Sequence, residues 1–197
     1  DGIALQTIKL VFEWLEKSVK TADPEAREKM HNASTMAGMA FANAFLGMSH
    51  SMAHKIGAVH HTVHGRTNAI LLPYVIRYNG TRPSKTTTWP KYNYWKADEK
   101  FQDIARMLGL PHSTPEEAVE AYAKSVYELG VAVGIKMNFK DQGIDEKAWK
   151  DSLHEIALLA YEDQCSPANP RLPMVADMEE IMEDAYYGYA ERPGRRK

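Results

Sequence analysis

Five of the eight histidines in this 197-residue chain fall within one short stretch: His50, His54, His60, His61 and His64. Neutral imidazole is the commonest protein metal ligand and the side chain best suited to moving protons near neutral pH, so the cluster points to metal or proton chemistry. His50 and His54 are four residues apart, as are His60 and His64, while His61 and His64 are three apart. Either spacing puts two rings on one helix face, roughly 6 Å apart at Cβ, a workable span for one divalent cation. An unbroken helix would hold His50 and His64 about 21 Å apart along its axis. They can share an ion only if the chain turns back between them, and Gly57 is the expected place for that reversal. Spacing alone does not say which histidines bind. No carboxylate lies within the cluster, and two or three imidazoles without a fourth ligand make an open site. The competing reading is a solvated turn that happens to be rich in histidine.

The elements that must position the cluster read as helices. Apolar residues recur every three to four positions over 3–20, one face of an amphipathic helix. Asp23-Pro24 starts the next, as N-cap and first helical residue. That second helix begins charged and turns small and apolar from Met36, so it is expected to enter the core and to leave the histidines deep in the protein. A short helix is predicted over 49–59, then another over 66–78, kinked at Pro73 and stopped by Asn79-Gly80. Residues 81–95 hold breakers together with Trp89, Tyr92, Tyr94 and Trp95, an irregular segment whose aromatics are expected to lie on the bundle surface. Helices over 97–108, from Thr114-Pro115 to about 134, from Asp145 to about 162, and over 174–188 complete the chain. No window alternates with period two, no repeat is present, and no Gly-rich phosphate loop occurs. The expected fold is all-α, a single multi-helix bundle domain over 1–197 with seven to nine helices.

Lys and Arg total 24 against 26 Asp and Glu, a net charge of −2, which implies no general attraction to nucleic acid or to an anionic membrane. The one cysteine, Cys165, excludes an internal disulfide and favours a reducing compartment. No apolar run is long enough to span a bilayer and no leader pattern opens the chain, so a cytoplasmic location is expected. Asp1-Gly2 leads straight into a helical pattern without an initiator Met, as expected for part of a longer polypeptide.

The run from Met36 to Gly57, continued by His64-Gly65 and Asn68-Ala-Ile-Leu-Leu-Pro73, resembles the signature of the iron-dependent (group III) alcohol dehydrogenases. Tyr78-Asn79-Gly80 and Cys165-Ser-Pro-Ala-Asn-Pro-Arg171 are similar to the same family. Residues 81–95 and Asp184-Ala-Tyr-Tyr-Gly188 resemble one branch, the alcohol dehydrogenase portion of bacterial bifunctional aldehyde–alcohol dehydrogenases. The resemblance implies that His50 and His64 bind the metal and that His54, near nicotinamide and substrate, helps relay a proton. It also implies that Phe41 lines the substrate pocket and that Cys165 lies near the reactive end of the cofactor. His61 matches a family histidine without an assigned role.

Two departures stand out. Val63 replaces a usual proline before the second ligand, which leaves a looser turn, and His60 stands where an aromatic is common, adding an imidazole that competes for metal. The family's other two ligands, an Asp and a His one helical turn apart, are expected shortly before Asp1, and its Rossmann-like nucleotide domain earlier still. The implied activity of the intact protein is NAD(H)-linked reduction of a short-chain aldehyde, acetaldehyde to ethanol, on Fe2+ (Zn2+ in some relatives). This chain alone, with half the ligand set and NAD(H) bound mainly elsewhere, is expected to be inactive. The alternative is a helical assembly module, since the resembled branch builds filaments by self-association and the Trp89–Trp95 aromatics suit an interface. A haem or di-metal bundle expects paired Glu-x-x-His motifs, which the chain lacks.

Overall fold

The computed structural model describes residues 1–83 and 95–188, and eight α-helices form among them. They are α1 Gly2–Thr21, α2 Pro24–Ala44, α3 Met48–His60, α4 His64–Gly80, α5 Ala97–Met107, α6 Pro115–Ala132, α7 Glu146–Tyr161 and α8 Val175–Tyr187, with one 3-10 turn, Ser166–Ala168, before the last. No strand occurs among the described residues, so the all-α reading holds. Three helix starts follow from local chemistry, each satisfying a backbone N–H that has no partner within its own helix. Asp23 accepts from Ala26 N at 2.9 Å, Thr114 from Glu117 N at 3.2 Å and Asp145 from Ala148 N at 2.9 Å. Pro73 sits inside α4, which continues through it as one helix. Trp89, Tyr92 and Tyr94 lie outside the described residues. Trp95 donates Nε1–H to the carbonyl of Asn79 at 3.0 Å, which ties the chain just before α5 to the end of α4.

Two apolar clusters carry the bundle. In the larger, Met48, Met52 and Ile56 of α3 meet Ile70 and Leu71 of α4, Trp149 and Ile156 of α7, and Met178 and Met182 of α8. Its aromatic layer stacks Phe139 on Trp149 at 5.0 Å and Trp149 on Tyr186 at 5.1 Å between ring centroids. The smaller gathers Ile76, Ile104, Val119, Tyr122 and Ala123, against which Leu5, Ile8 and Phe12 of α1 pack. Helices α4 and α6 approach closely at Gly80, where a Cβ would lie 2.5 Å from Val119 Cγ2.

Helix α2 departs from expectation. Only Ala26 and Ala33 are buried along it, while Met39, Phe41 and, just past its end, Phe45 are 53%, 47% and 49% exposed. The reason is partnership: α2 pairs chiefly with α1, as a hairpin, and the second half of α2 is left largely open. Apolar composition sets how much surface a helix can bury, and its neighbours decide how much it does. The histidine stretch therefore does not lie deep: His50 and His54 are half-buried and His64 is exposed.

The reversal also falls elsewhere than expected. Helix α3 runs through Gly57, where a Cβ would make only an ordinary contact, 3.4 Å from Thr62 O. The chain turns at His61-Thr62-Val63, with His61 in the left-handed region at φ 52°. Thr62 Oγ1 and Thr67 Oγ1 share a hydrogen bond of 2.6 Å, and Thr67 N–H and hydroxyl both donate to Val63 O, at 2.9 and 3.1 Å. These bonds tie the turn to the first turn of α4, so the loose geometry expected from Val63 is not what forms.

Val63 has φ −71°, close to the value a proline ring imposes. Val63→Pro is therefore expected to raise stability by about 0.4–1 kcal/mol through the unfolded chain, read as a higher denaturation midpoint. Gly80→Ala is expected to cost about 1–3 kcal/mol, because the stiff Val119 side chain and Phe101 behind it must shift. Gly38→Ala, with open space around its Cβ, is expected to be stabilising in the same thermal melts.

Candidate metal centre

The buried stripe of α3 and its histidines lie on different sides of the helix. Met48, Met52 and Ile56 recur every four residues toward the core, and His50 follows Met48 by two residues, about 200° further round. His50 and His54 thus share the opposite side, and the turn at His61–Val63 brings His64, the first residue of α4, back to them. Ring centroids are 5.3 Å apart for His50 and His64, 5.5 Å for His54 and His64, and 6.1 Å for His50 and His54. Two imidazoles on one divalent ion, each nitrogen about 2.1 Å from it, put their ring centres roughly 5 Å apart, so the His50–His64 pair has the span of a shared cation.

The electrostatics suit ligands. Burial, and then the neighbouring His64 and His54, push the His50 imidazole below its ordinary value. It is neutral near pH 7, with a lone pair to offer. His64 is steered by Asn68, one turn along α4. The Asn68 amide donates to His64 Nε2 and to His64 O, both at 3.2 Å, while its Oδ1 accepts from Ser49 Oγ at 2.9 Å. A neutral amide hydrogen is a weak competitor for an imidazole lone pair, so this contact orients the ring without blocking a cation.

A carboxylate that the sequence did not reveal stands behind His54. Asp163, in the turn after α7, lies with Oδ2 3.3 Å from His54 Nδ1 and 2.9 Å from Lys55 Nζ, and its Oδ1 accepts from Cys165 N at 3.0 Å. Burial alone would raise its pKa, but the hydrogen bonds from Cys165 N–H, Lys55 and His54 outweigh that and hold the carboxyl well below the usual carboxylate range. The one available hint was position: Asp163 lies two residues before Cys165, at the edge of a stretch already singled out.

His54, Asp163 and Cys165 place nitrogen, oxygen and sulfur within 4.8 Å of one another, a set of metal-ligand types. Its chemistry argues against a cation. The Lys55 ammonium already neutralises the carboxylate, and the Cys165 thiol, pushed up to about 11 by burial and by Asp163, stays protonated when thiolate is the metal-binding form.

His60 does not compete for the cluster. Its ring stacks on Trp149 at 5.3 Å, and its Nε2 pairs with Ser152 Oγ at 3.0 Å. It packs as an aromatic does. His61 is exposed at the turn. Phe41 lines an apolar groove of about 680 Å³ between the start of α1 and the end of α2, shared with Ile3, Ile8, Met39 and Phe45. Cys165 is 1% exposed, so its thiol faces the interior.

The motif Cys165–Arg171 works as a buckle. Asn169 Oδ1 accepts from Met48 N at 3.3 Å, at the start of α3, and Asn169 Nδ2 donates to Asn79 Oδ1 at 2.7 Å, at the end of α4. Arg171 donates to Tyr78 O at 3.0 Å and lies over the Tyr78 ring at 4.0 Å. Gly47 permits the approach, since a Cβ there would sit 2.8 Å from Asn169 Oδ1. The helices that carry the three histidines are thereby held at both ends.

Known proteins resemble this chain in sequence and in fold. The chain is 80% identical over all 197 residues to the aldehyde-alcohol dehydrogenase of Streptococcus pneumoniae serotype 2, and spans 22% of that protein. It is 39% identical over 193 residues to the bifunctional aldehyde-alcohol dehydrogenase of Escherichia coli K12, covering 95% of this chain and 22% of that one. Among solved structures, the iron-containing alcohol dehydrogenase of Thermococcus thioreducens superposes with a TM-score of 0.79 at 34% identity, covering 96% of this chain and 44% of that chain. The sequence profile of the Fe-containing alcohol dehydrogenase family, C-terminal part, matches residues 1–186, and the chain belongs to that family.

Proposed function

We propose that this chain is the helical part of a metal-dependent, NAD(H)-linked alcohol dehydrogenase, acting within a longer protein to reduce a short-chain aldehyde, acetaldehyde, to ethanol. The observation that carries the reading is the meeting of His50 and His64, fourteen positions apart in sequence, with ring centres 5.3 Å apart. Two imidazoles at that span fit Fe2+, and Zn2+ equally, with the remaining ligands coming from outside residues 1–197. When bound, the metal polarises the substrate carbonyl and NADH supplies the hydride.

The work of this chain's own residues is more specific. His50 and His64 offer lone pairs from two helices whose relative position is set by the turn at His61–Val63 and by Asn169. His54, beside both, moves a proton through its ring to the oxygen of the reduced substrate. Phe41 gives the substrate an apolar wall, and Cys165 lies toward the cofactor, closing the inner side of the cluster with an uncharged thiol. The NADH site and the upstream Asp and His lie outside this chain, so the chain by itself reduces no aldehyde. Among the described residues no helix is long and apolar enough to cross a membrane, consistent with the cytoplasmic location proposed.

A second reading has one observation behind it. The exposed Met39, Phe41 and Phe45 around the α1–α2 groove form an apolar face suited to a further protein surface, as an assembly module requires. Light scattering of this chain with and without Phe45→Ser separates the readings: a mass that falls on substitution favours self-association through this groove.

In the full-length protein, His50→Ala and His64→Ala are each expected to abolish bound metal, measured by elemental analysis, together with turnover. Near-normal turnover in either would refute the ligand assignment. His54→Ala is expected to retain metal and to lose roughly 10²–10⁴-fold in kcat, the usual contribution of a positioned proton donor. An NADH assay on the 197-residue chain with acetaldehyde is expected to show no oxidation.

A further inference from the structure

The turn after α7 is built in a way that the proton relay alone does not require. Asp163 Oδ1 accepts the N–H of Cys165 two residues on, an Asx-turn that pins the carboxylate rotamer. Ser166 then fastens the turn from two sides, donating to Ala160 O at 2.6 Å and bonding Ser51 Oγ on α3 at 3.0 Å. The second carboxylate oxygen is thereby aimed at α3, where it meets Lys55 Nζ at 2.9 Å and His54 Nδ1 at 3.3 Å. The side chain is 8% exposed, so little water competes for these bonds.

We infer that Asp163 is the positioning residue of His54: its carboxylate holds the Nδ1–H edge of the ring so that Nε2 is the nitrogen presented to the reaction. The chemistry follows from what each group can donate. An ionised carboxylate is acceptor-only, so the nitrogen facing it carries the hydrogen, and the tautomer of His54 is set. The carboxyl is held well below its ordinary range, which keeps it ionised at all working pH values. Lys55 balances the buried charge, so the carboxylate does not need to draw the proton off the ring to be stable. A carboxylate behind an imidazole serves orientation in this way in proton-transfer sites on unrelated folds.

The inference rests on the role given to His54 above, and a double-mutant cycle on the full-length, metal-loaded protein tests both separately. Asp163→Asn leaves one oxygen where two are used, so either the Cys165 N–H or the His54–Lys55 pair loses its acceptor. Expected for Asp163→Asn is an unchanged metal content, an aldehyde KM within about twofold of wild type, and a kcat lower by roughly 10- to 100-fold. On the His54→Ala background the same substitution is expected to cost less than about twofold, because a group acting through His54 has nothing left to act on. If Asp163→Asn does not accumulate as folded protein, Asp163→Glu takes its place in the cycle, with a several-fold loss expected only when His54 is present. Equal losses in both backgrounds, or a wild-type kcat in Asp163→Asn, would overturn the inference. A wild-type kcat in His54→Ala would instead remove the relay itself, and the inference with it.

Discussion

The reversal at His61-Thr62-Val63 is the constraint on which the candidate site depends. Without it α3 would carry on and take His64 away from His50. With it, the first residue of α4 lies beside the middle of α3, and two side chains far apart along the chain become neighbours at 5.3 Å. The turn holds because several weak terms agree. His61 accepts a left-handed conformation, which costs a non-glycine residue of the order of 1 kcal/mol. The Thr62–Thr67 hydroxyl pair and the double bond from Thr67 to Val63 O offset that cost locally. The stack of His60 on Trp149 anchors the last turn of α3 to the core just before the chain leaves it.

A turn alone does not fix the angle between two helices, and here the far ends are tied as well. Asn169 spends both atoms of its amide on the two helices, taking the first free N–H of α3 and pairing with Asn79 at the end of α4. It is buried, so these bonds are made where water does not compete and where leaving one unmade is costly. The loop from Cys165 to Arg171 thus does structural work at one end through Asn169 and Arg171, and electrostatic work at the other through the Cys165 N–H on Asp163. One short segment sets both the frame of the histidines and the surroundings of His54. The thiol of Cys165 adds a further hydrogen bond to Asp163.

Charge is distributed so that the cluster stays ready for a cation. Burial and the two neighbouring imidazoles disfavour protonation of His50, and the Asp163 carboxylate beside His54 is matched by Lys55. Toward the α1–α2 hairpin the surface changes character to apolar, with Phe41 and Phe45 open in a chain that covers 22% of its bifunctional relatives.

Much of this was written in local sequence. Asp23-Pro24, Thr114-Pro115 and Asp145 mark helix starts because an N-cap needs only a side chain within three residues of the N–H it serves. Apolar periodicity marks the helices, and the signature around His50 and His64 carries the family resemblance without reference to the fold. What the tertiary structure decided is everything that depends on which surfaces meet. The apolar half of α2 looked like core and is open, because burial is a property of a pair of surfaces. Gly57 looked like the turn and is helical, since a glycine permits a bend and packing chooses whether to use it. His60 looked like a spare ligand and is a stacking ring, because Trp149 comes to it from 89 residues away in the chain. Asp163 was unmarked because it is 109 residues from His54, and no pattern along a chain encodes a contact that exists only after the helices have packed.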